Sequence, residues 1–556
     1  MSNVIKQISS LEKIGLYDKF ECKEIKCKTL LKGERFSYQI VVNSEDFRGF
    51  ATVDVESPLK DHIKLYREKE VNVDIPFYGE IHDEGYLIEQ AGCLPDLLVP
   101  IDEYNNNIPL IGKNIVIWVR LDLPKEIDAG NYSIKVNFTS RSLGTAALQC
   151  EMTDSANMSI EVIEATIPEQ STAYARWLHV DCIANAHNVE VYSEEHWSLI
   201  DEYIGKATDM GINMILVPIH TPPLDTEIGT RRRNVQLVEI EKIGDTFNFG
   251  FEKLKRFIDI CKKHNVKYYE MAHLFSQWGA KFSPNIAVSE NGVTDYMFGW
   301  HIAANSSEYV NFLKQYIKAL YEEFDRYGIT DKLYFHVSDE PALSHIDNYT
   351  IAHEIIAPYI KNKGGKTIDA LSHYEFYERG LVDCPVSCVS HIHDFLDKPV
   401  ADRWVYYYCD NCKTFTNSFI ASPSARVRIL GFQMYKYGIS GFLQWGFNFY
   451  NSNKSIYPVD PHVSTSADGW FPSGDAFIVY PSKNGAYGSI RGEVTYEAMQ
   501  DISICEALEK IIGKEAVIKM IDEAANRDLR FDDYPRDSDF INDLRDSMVL
   551  IISQNC

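Results

Sequence analysis

Cysteine is sparse in this chain: twelve residues are spread from Cys22 to Cys556 over 556 positions, without the dense pairing that staples small secreted domains. Most of these thiols are therefore expected to be reduced and buried. Long apolar runs are missing as well, and no window reaches the roughly 18 consecutive apolar residues of a membrane span. The opening stretch Met1-Ser2-Asn3-Val4-Ile5-Lys6-Gln7-Ile8 meets charge again at Glu12 and Lys13 and develops neither the apolar run nor the cleavage site of a signal peptide. A cytoplasmic protein with no membrane partner is expected. Positive charge is short too, with 55 Lys+Arg against 80 Asp+Glu and a formal charge of −25, a field that repels phosphate backbones. Nucleic acid is excluded as a partner. Finally, no glycine-rich phosphate loop follows the early strands, which removes the nucleotide-binding open sheets.

What is present is a globular composition: 45% hydrophobic residues, with 33 Tyr and 8 Trp that suit sugar-stacking platforms and core interfaces alike. The length exceeds what one hydrophobic core serves, so two or three domains are expected. From Arg35 to Glu164 apolar residues alternate in short runs (Phe36–Val42, Ile115–Leu121, Tyr132–Phe138), separated by turn signals such as Asp128-Ala129-Gly130-Asn131. Period-two alternation of this kind predicts an antiparallel β-sandwich over residues 1–170.

Beyond residue 170 strands alternate with amphipathic helices. Ser193 reads as the N-cap of a helix carrying Trp197, Ile200, Ile204 and Ala207 on one face, and Asn305 with Glu308 as a capping-box-like pair before a helix stopped by Gly328. Strands are predicted at Tyr174–Val180, Asn213–Ile219, Tyr268–Leu274, Lys332–Val337, Thr367–Ser372, Val386–His391, Trp404–Tyr408 and Gly441–Trp445. The fold class is therefore α/β: a (β/α)8 TIM-type barrel over residues 171–490, preceded by the sandwich. Apolar positions at Ile502, Cys505, Leu508, Ile511 and Ile512 predict a C-terminal helical segment over residues 491–556.

In such a barrel the active site lies at the C-terminal strand ends, and the fourth strand ends in Ser338-Asp339-Glu340-Pro341. Asp-Glu-Pro at a strand end also reads as an ordinary loop start whose carboxylates cap the next helix. Pro341, however, forces Glu340 out of helical geometry. Most glycosidases place two carboxylates about 5–9 Å apart across the scissile bond, whereas neighbours on an extended chain diverge. An adjacent pair better suits a substrate whose own 2-acetamido oxygen is the nucleophile. Glu340 then serves as acid and Asp339 as the anion that orients the amide, with the Asp339 charge expected to raise the pKa of Glu340.

Four segments resemble glycoside hydrolase family 123, with its associated domain of unknown function 4091. They are Tyr334–Pro341, His273–Ala280, Gly441–Tyr450 and Gly474–Pro481, with Ser489-Ile490-Arg491 following. The resemblance runs from about residue 170 to 510. It departs at Gln444, where His is expected before Trp-Gly, and at Ala476, where Gly is usual. It implies an exo-acting, retaining β-N-acetylgalactosaminidase working by the substrate-assisted route, with Asp339 and Glu340 as its catalytic pair. The implied substrate is a small oligosaccharide or glycoconjugate ending in β-GalNAc.

The other candidate sugar contacts are His273, Trp278, His336, Tyr374, Trp445 and Asn448; Tyr374 is read as a hydroxyl donor to the acetamido oxygen, and Trp445 and Asn448 as stacking floor and hydroxyl contact. Two of these also have a structural reading, Trp445 as core and His336 as a hydrogen-bonded barrel residue. Asp394, Asp410 and Glu375 are rival second carboxylates for a β-glycosidase without acetamido preference, and a catalytically silent sugar-binding barrel is the reading from another class. His391, His393, Cys409 and Cys412 could bind zinc, but a single Cys-x-x-Cys lacks its second pair and the chemistry calls for no metal. No cofactor is expected. Arg231-Arg232-Arg233 reads as solvated surface.

Overall fold

Period-two apolar residues make strands because each second side chain can leave water together, and two such faces must then cover one another. The computed structural model describes residues 4–19, 21–43, 49–79, 82–142 and 151–556; Met1, Ser2, Asn3 and Cys150 lie outside them. In the N-terminal region one sheet runs in the order Val4–Ser9, Arg35–Asn43, Asn114–Asp122, Ile63–Val73, Gly92–Pro100, and the other Cys27–Lys32, Glu151–Thr166, Gly130–Ser142, Gly49–Glu56, Ile108–Leu110. Pairing is antiparallel except between Glu151–Thr166 and Cys27–Lys32. Ile115, Ile117, Val119 and Leu121 point between the sheets, while Trp118 on the opposite face belongs to the barrel's core. The central strand is thus buried on both faces.

The larger unit is a closed barrel of eight parallel strands: β1 (Ala173–Arg176), β2 (Met214–Val217), β3 (Tyr268–Met271), β4 (Leu333–Phe335), β5 (Lys366–Ala370), β6 (Cys384–Cys388), β7 (Trp404–Tyr406) and β8 (Gly441–Gln444), with β8 pairing back to β1. Every strand predicted from the sequence is present in the predicted order. Each is shorter than predicted, and Val180 lies in a helix, Val180–Ala186. Gly441 opens β8 because nothing larger fits: a Cβ there would meet the Trp404 ring at 2.0 Å.

Helix α1 (Glu194–Asp209) is capped by Ser193, whose side chain accepts from the His196 N–H, and buries the predicted face. Helix α2 (Ser307–Tyr327) is capped by Ser306 rather than Asn305, with Gly328 at φ +66° ending it. Three helices close the chain, Ile490–Ile512 (α3), Lys514–Ala525 and Ser538–Ser553. Ile502, Cys505 and Leu508 are buried, but Ile511 and Ile512 are exposed. Two features were not legible. Strands Tyr480–Pro481 and Ala486–Ser489 extend the N-terminal sheet, and Glu239–Ile243, Thr246–Gly250, Ile286–Glu290 and Val293–Phe298 form a separate four-stranded sheet. Among the described residues no helix is long and apolar enough to cross a membrane.

Candidate active site

The C-terminal ends of the barrel strands surround a pocket of about 240 Å³. Its walls include Trp177 after β1, Asp225 after β2, Gln277 and Trp278 after β3, Asp339 and Glu340 after β4, Tyr406 and Tyr408 at β7, and Trp445 after β8. Both members of the predicted catalytic pair therefore face one cavity. Glu340 sits at φ +42°, a left-handed conformation that costs a side-chain-bearing residue of order 1 kcal/mol or more and is kept only where surroundings fix it. The fixing bonds are visible. Its N–H donates to the Ala370 carbonyl at 3.2 Å, and the Tyr406 hydroxyl donates to Glu340 Oε1 at 2.7 Å. The Trp278 N–H donates to the Asp339 carbonyl at 3.0 Å, within a turn where Trp278, Gly279 and Ala280 all have positive φ.

Burial pushes the Asp339 carboxyl well above the usual carboxylate range, and the neighbouring Glu340 charge pushes it further. Glu340 is raised as well, first by burial and then by the charge of Asp410, while the Tyr406 hydrogen bond pulls it back. The expected direction for Glu340 holds, but its cause is burial, and the charge repulsion falls on Asp339. Two buried carboxyls side by side disfavour ionising together, which favours a proton on one of them. Asp225 is a third carboxyl of this pocket, pushed up to about 6 by burial, with Oδ2 accepting the Lys454 N–H at 2.8 Å.

Trp278 and Trp445, two of the candidate sugar contacts, line the pocket. The Trp445 indole donates to Asp475 Oδ2 at 3.0 Å, which fixes the plane of the wall; Asp475 is fully buried and its carboxyl rises to about 7. Gly446 follows because the backbone of Ala476 crosses there, 2.3 Å from where a Cβ would stand.

The remaining predicted contacts are elsewhere. Asn448 is buried and spends its amide on the His179 backbone, accepting from its N–H at 2.8 Å and donating to its carbonyl at 3.1 Å. It ties the loop after β8 to the loop after β1. His273 and His336 are fully buried inside the barrel, their rings stacked 3.9 Å apart, and neither lines the pocket. Tyr374 packs against Phe395 beneath the Lys398 ammonium, and the tyrosines that reach the pocket are Tyr406 and Tyr408. Glu375 and Asp394 are exposed outside it, and Asp410 is exposed beside Cys409, close enough for its charge to act on Glu340.

Arg232 corrects the expectation of a solvated basic run. It is buried, with Nε 2.9 Å from Asp181 Oδ2, and it bonds His179 Nδ1 at 3.1 Å. The four zinc candidates do not converge: His391 meets Ser390, His393 meets Asp532, and the Cys412 thiol donates to the Cys409 carbonyl. The described residues bring His273, His336 and Asp369 within reach of one another. Yet the two imidazoles stack at 15°, so their lone pairs lie in near-parallel planes and no single ion sits in both.

Residues 177–508 match the glycoside hydrolase 123 catalytic domain. In structure the chain is similar to a family 123 glycoside hydrolase from Clostridium perfringens studied for glycolipid glycan hydrolysis, at TM-score 0.72 and 15% identity, covering 100% of this chain and 97% of that one. It also aligns with a Bacteroides ovatus GH5 xyloglucanase at TM-score 0.26 and 8% identity over 88% and 99% of the two chains, a likeness too low to carry an argument. No curated protein matches it.

Proposed function

The chain belongs to glycoside hydrolase family 123, and from that premise we propose that it is an exo-acting, retaining β-N-acetylgalactosaminidase whose substrate supplies its own nucleophile. The observation that carries this reading is the lodging of consecutive carboxyls, Asp339 and Glu340, in one pocket at the end of β4, with Tyr406 bonded to Glu340 alone. At about 240 Å³ the pocket is smaller than the roughly 300–1,000 Å³ of drug-sized ligand sites, which suits one terminal sugar.

In the proposed reaction the acetamido carbonyl oxygen attacks the anomeric carbon while the bond to the leaving oxygen breaks and the Glu340 carboxyl gives that oxygen its proton. Asp339 accepts the amide N–H and balances the positive charge of the resulting oxazolinium ring. Water, deprotonated by the Glu340 carboxylate, then opens the ring from the face the leaving group vacated, so configuration is retained. The proton balance of the pocket is compatible with this sequence. In the empty site burial and Glu340 favour a proton on Asp339; an arriving amide N–H gives Asp339 a donor that favours its charged form and leaves the proton to Glu340. A cytoplasmic role on small imported oligosaccharides or glycoconjugates is part of the proposal, and the eleven described cysteines, all free thiols, suit a reducing compartment.

Asp225 supports a second reading, a β-glycosidase indifferent to the acetamido group, because it is the pocket's other carboxyl and can stand as nucleophile. Hydrolysis of p-nitrophenyl β-GalNAc, β-GlcNAc and β-Gal side by side separates the two. A strong preference for β-GalNAc and tight binding of a thiazoline mimic of the cyclised intermediate are expected. Equal turnover of β-Gal with indifference to the thiazoline favours Asp225, and binding without turnover of any sugar favours a silent barrel. Glu340→Gln should lose about 10²–10⁴-fold on leaving groups that need a proton and much less on those that do not. Asp339→Asn should slow both kinds; full activity of Asp339→Asn on acetamido sugars would falsify the substrate-assisted route.

A further inference from the structure

Directly under the catalytic pair the barrel interior carries a row of ionisable side chains that the reaction above does not use. Glu270 on β3, His336 just past β4 and Asp369 on β5 come from three adjacent strands, and all three are fully buried. His336 Nδ1 lies 2.8 Å from Asp369 Oδ1, and its Nε2 bonds Glu270 Oε1. An imidazole with a carboxylate on each nitrogen needs a proton on both, since either one missing would set a ring lone pair against a carboxylate. The second oxygen of Asp369 and the shared Oε1 of Glu270 tie this row to the site, while Glu270 Oε2 is buried without a partner among the described residues. Asp369 Oδ2 takes the N–H groups of Val337 at 3.0 Å and Ser338 at 3.3 Å, and also the Tyr349 hydroxyl. Glu270 Oε1 also takes the indole N–H of Trp177, a pocket wall, at 2.7 Å.

We propose that Asp369 and His336, backed by Glu270, are positioning residues for the catalytic pair: Asp369 clamps the backbone that delivers Asp339 and Glu340, and the His336 imidazolium is the positive charge against which Asp339 ionises. Of the charges that act most strongly on Asp339 among the described residues, Glu340 beside it, Asp369, and Asp225 from the loop after β2 are negative and His336 is positive. His336 itself faces Glu270, Asp369 and the stacked, uncharged ring of His273, so two negative charges face one positive ring. The two carboxylates hold its proton to about pH 10. Burial raises the Asp369 carboxyl and the His336 imidazolium draws it back down. Without His336 the barrel floor would keep its acidic groups and lose its positive charge, directly beneath a carboxyl that has to become an anion.

The inference rests on the reading of Asp339 as the ionised member of the pair, and its test separates the two. Histidine-selective nitrogen NMR of the full chain reads the charge of His336 with no substrate present. No other described histidine has a carboxylate on each nitrogen, so one imidazole protonated on both nitrogens is expected to persist to about pH 8. If no histidine does so, the proposal is overturned. His336→Gln and Asp369→Asn are then assayed on whichever aryl glycoside the wild type turns over best. The expected result is a loss of about 10²-fold in kcat at neutral pH for each, with KM changed less than about 3-fold; His336→Gln also moves the acid limb of the pH profile to higher pH, whereas Asp369→Asn, which removes a negative charge that raises Asp339, does not move it up. A folded His336→Gln that loses rate evenly at every pH, with no movement of that limb, or a folded Asp369→Asn with unchanged kcat, overturns it. Where a variant fails to fold, the wild-type NMR result decides alone. A wild type that prefers β-Gal would sink the sugar assignment and leave both readouts here interpretable.

Discussion

Among the described residues Tyr406 makes the one side-chain hydrogen bond to the proposed acid, its hydroxyl 2.7 Å from Glu340 Oε1, and such a bond favours the ionised carboxylate. Removing it in Tyr406→Phe raises the pKa of Glu340, so the acid keeps its proton to higher pH. The alkaline limb of the kcat profile should therefore move up, with less than about a 10-fold change in the plateau, and pH–rate profiles check it. An unmoved limb would separate Tyr406 from the acid. The pair itself was legible because a barrel obliges strand ends to converge, and Asp339-Glu340 ends a strand. Its neighbours were less so, for one physical reason. The barrel strands are only three to five residues long, so residues such as His336 lie past the ladder yet still point into the barrel interior rather than the pocket. A sequence pattern distinguishes inward from outward, but not floor from wall. Tyr374, Tyr406 and Tyr408 were equivalent by type, and only barrel closure brings the latter two to the pocket. Asp225 and Arg232 sit in a long loop after β2 that no periodicity places.

At the scale of elements the helices were read well and their first residues less so. Ser306 Oγ accepts the Tyr309 N–H at 3.3 Å, so Ser306→Ala should cost about 1 kcal/mol in urea unfolding, whereas Asn305→Ala should cost little. The reverse ranking would restore the original assignment. Cap and neighbour are both good capping types, and a one-residue shift in where the chain turns decides between them. The loop after β8 makes a further case. Asp475 is buried behind Trp445 and accepts its indole N–H, so Asp475→Ala leaves that donor unpaired and the ring free to tilt. KM should rise with a smaller change in kcat, and Asp475→Asn, which keeps an acceptor oxygen, should recover most of it. Steady-state kinetics of both variants check the split. A uniform loss in the two would point to the charge of Asp475 instead. The strands at 480–489 were invisible as sandwich strands because their partner, Gly92–Pro100, lies nearly 400 positions away in sequence, and the small sheet because its strands are split between two loops.

For the molecule as a whole the sandwich and the barrel share a buried ionic seam. Arg120, 1% exposed on the sandwich's central strand, reaches Asp209 at the end of α1 at 2.8 Å and Glu493 in α3 at 3.1 Å, with Asp122 at 3.0 Å from its Nε. Arg35 adds a second guanidinium, 2.7 Å from Asp122 and bonded to the Asp209 carbonyl. These cations hold Asp209 and Asp122 below the usual carboxylate range against the opposing effect of burial. A pair of this kind contributes little beyond what hydrophobic replacements would, but removing one partner strands the other charges at a cost of about 3–5 kcal/mol. Arg120→Ala should therefore destabilise by that order. Because the seam joins both units, the loss should appear as one earlier transition followed identically by tryptophan fluorescence and far-ultraviolet circular dichroism. The sign of its pH dependence is fixed: a carboxylate whose folded pKa is depressed stabilises above its unfolded pKa of about 4 and loses that contribution as pH falls. The gap between wild type and Arg120→Ala should thus be widest near neutrality and narrow below about pH 4. Two separated transitions, with only the sandwich moved, would show that the two units fold independently and that the seam joins them without coupling them.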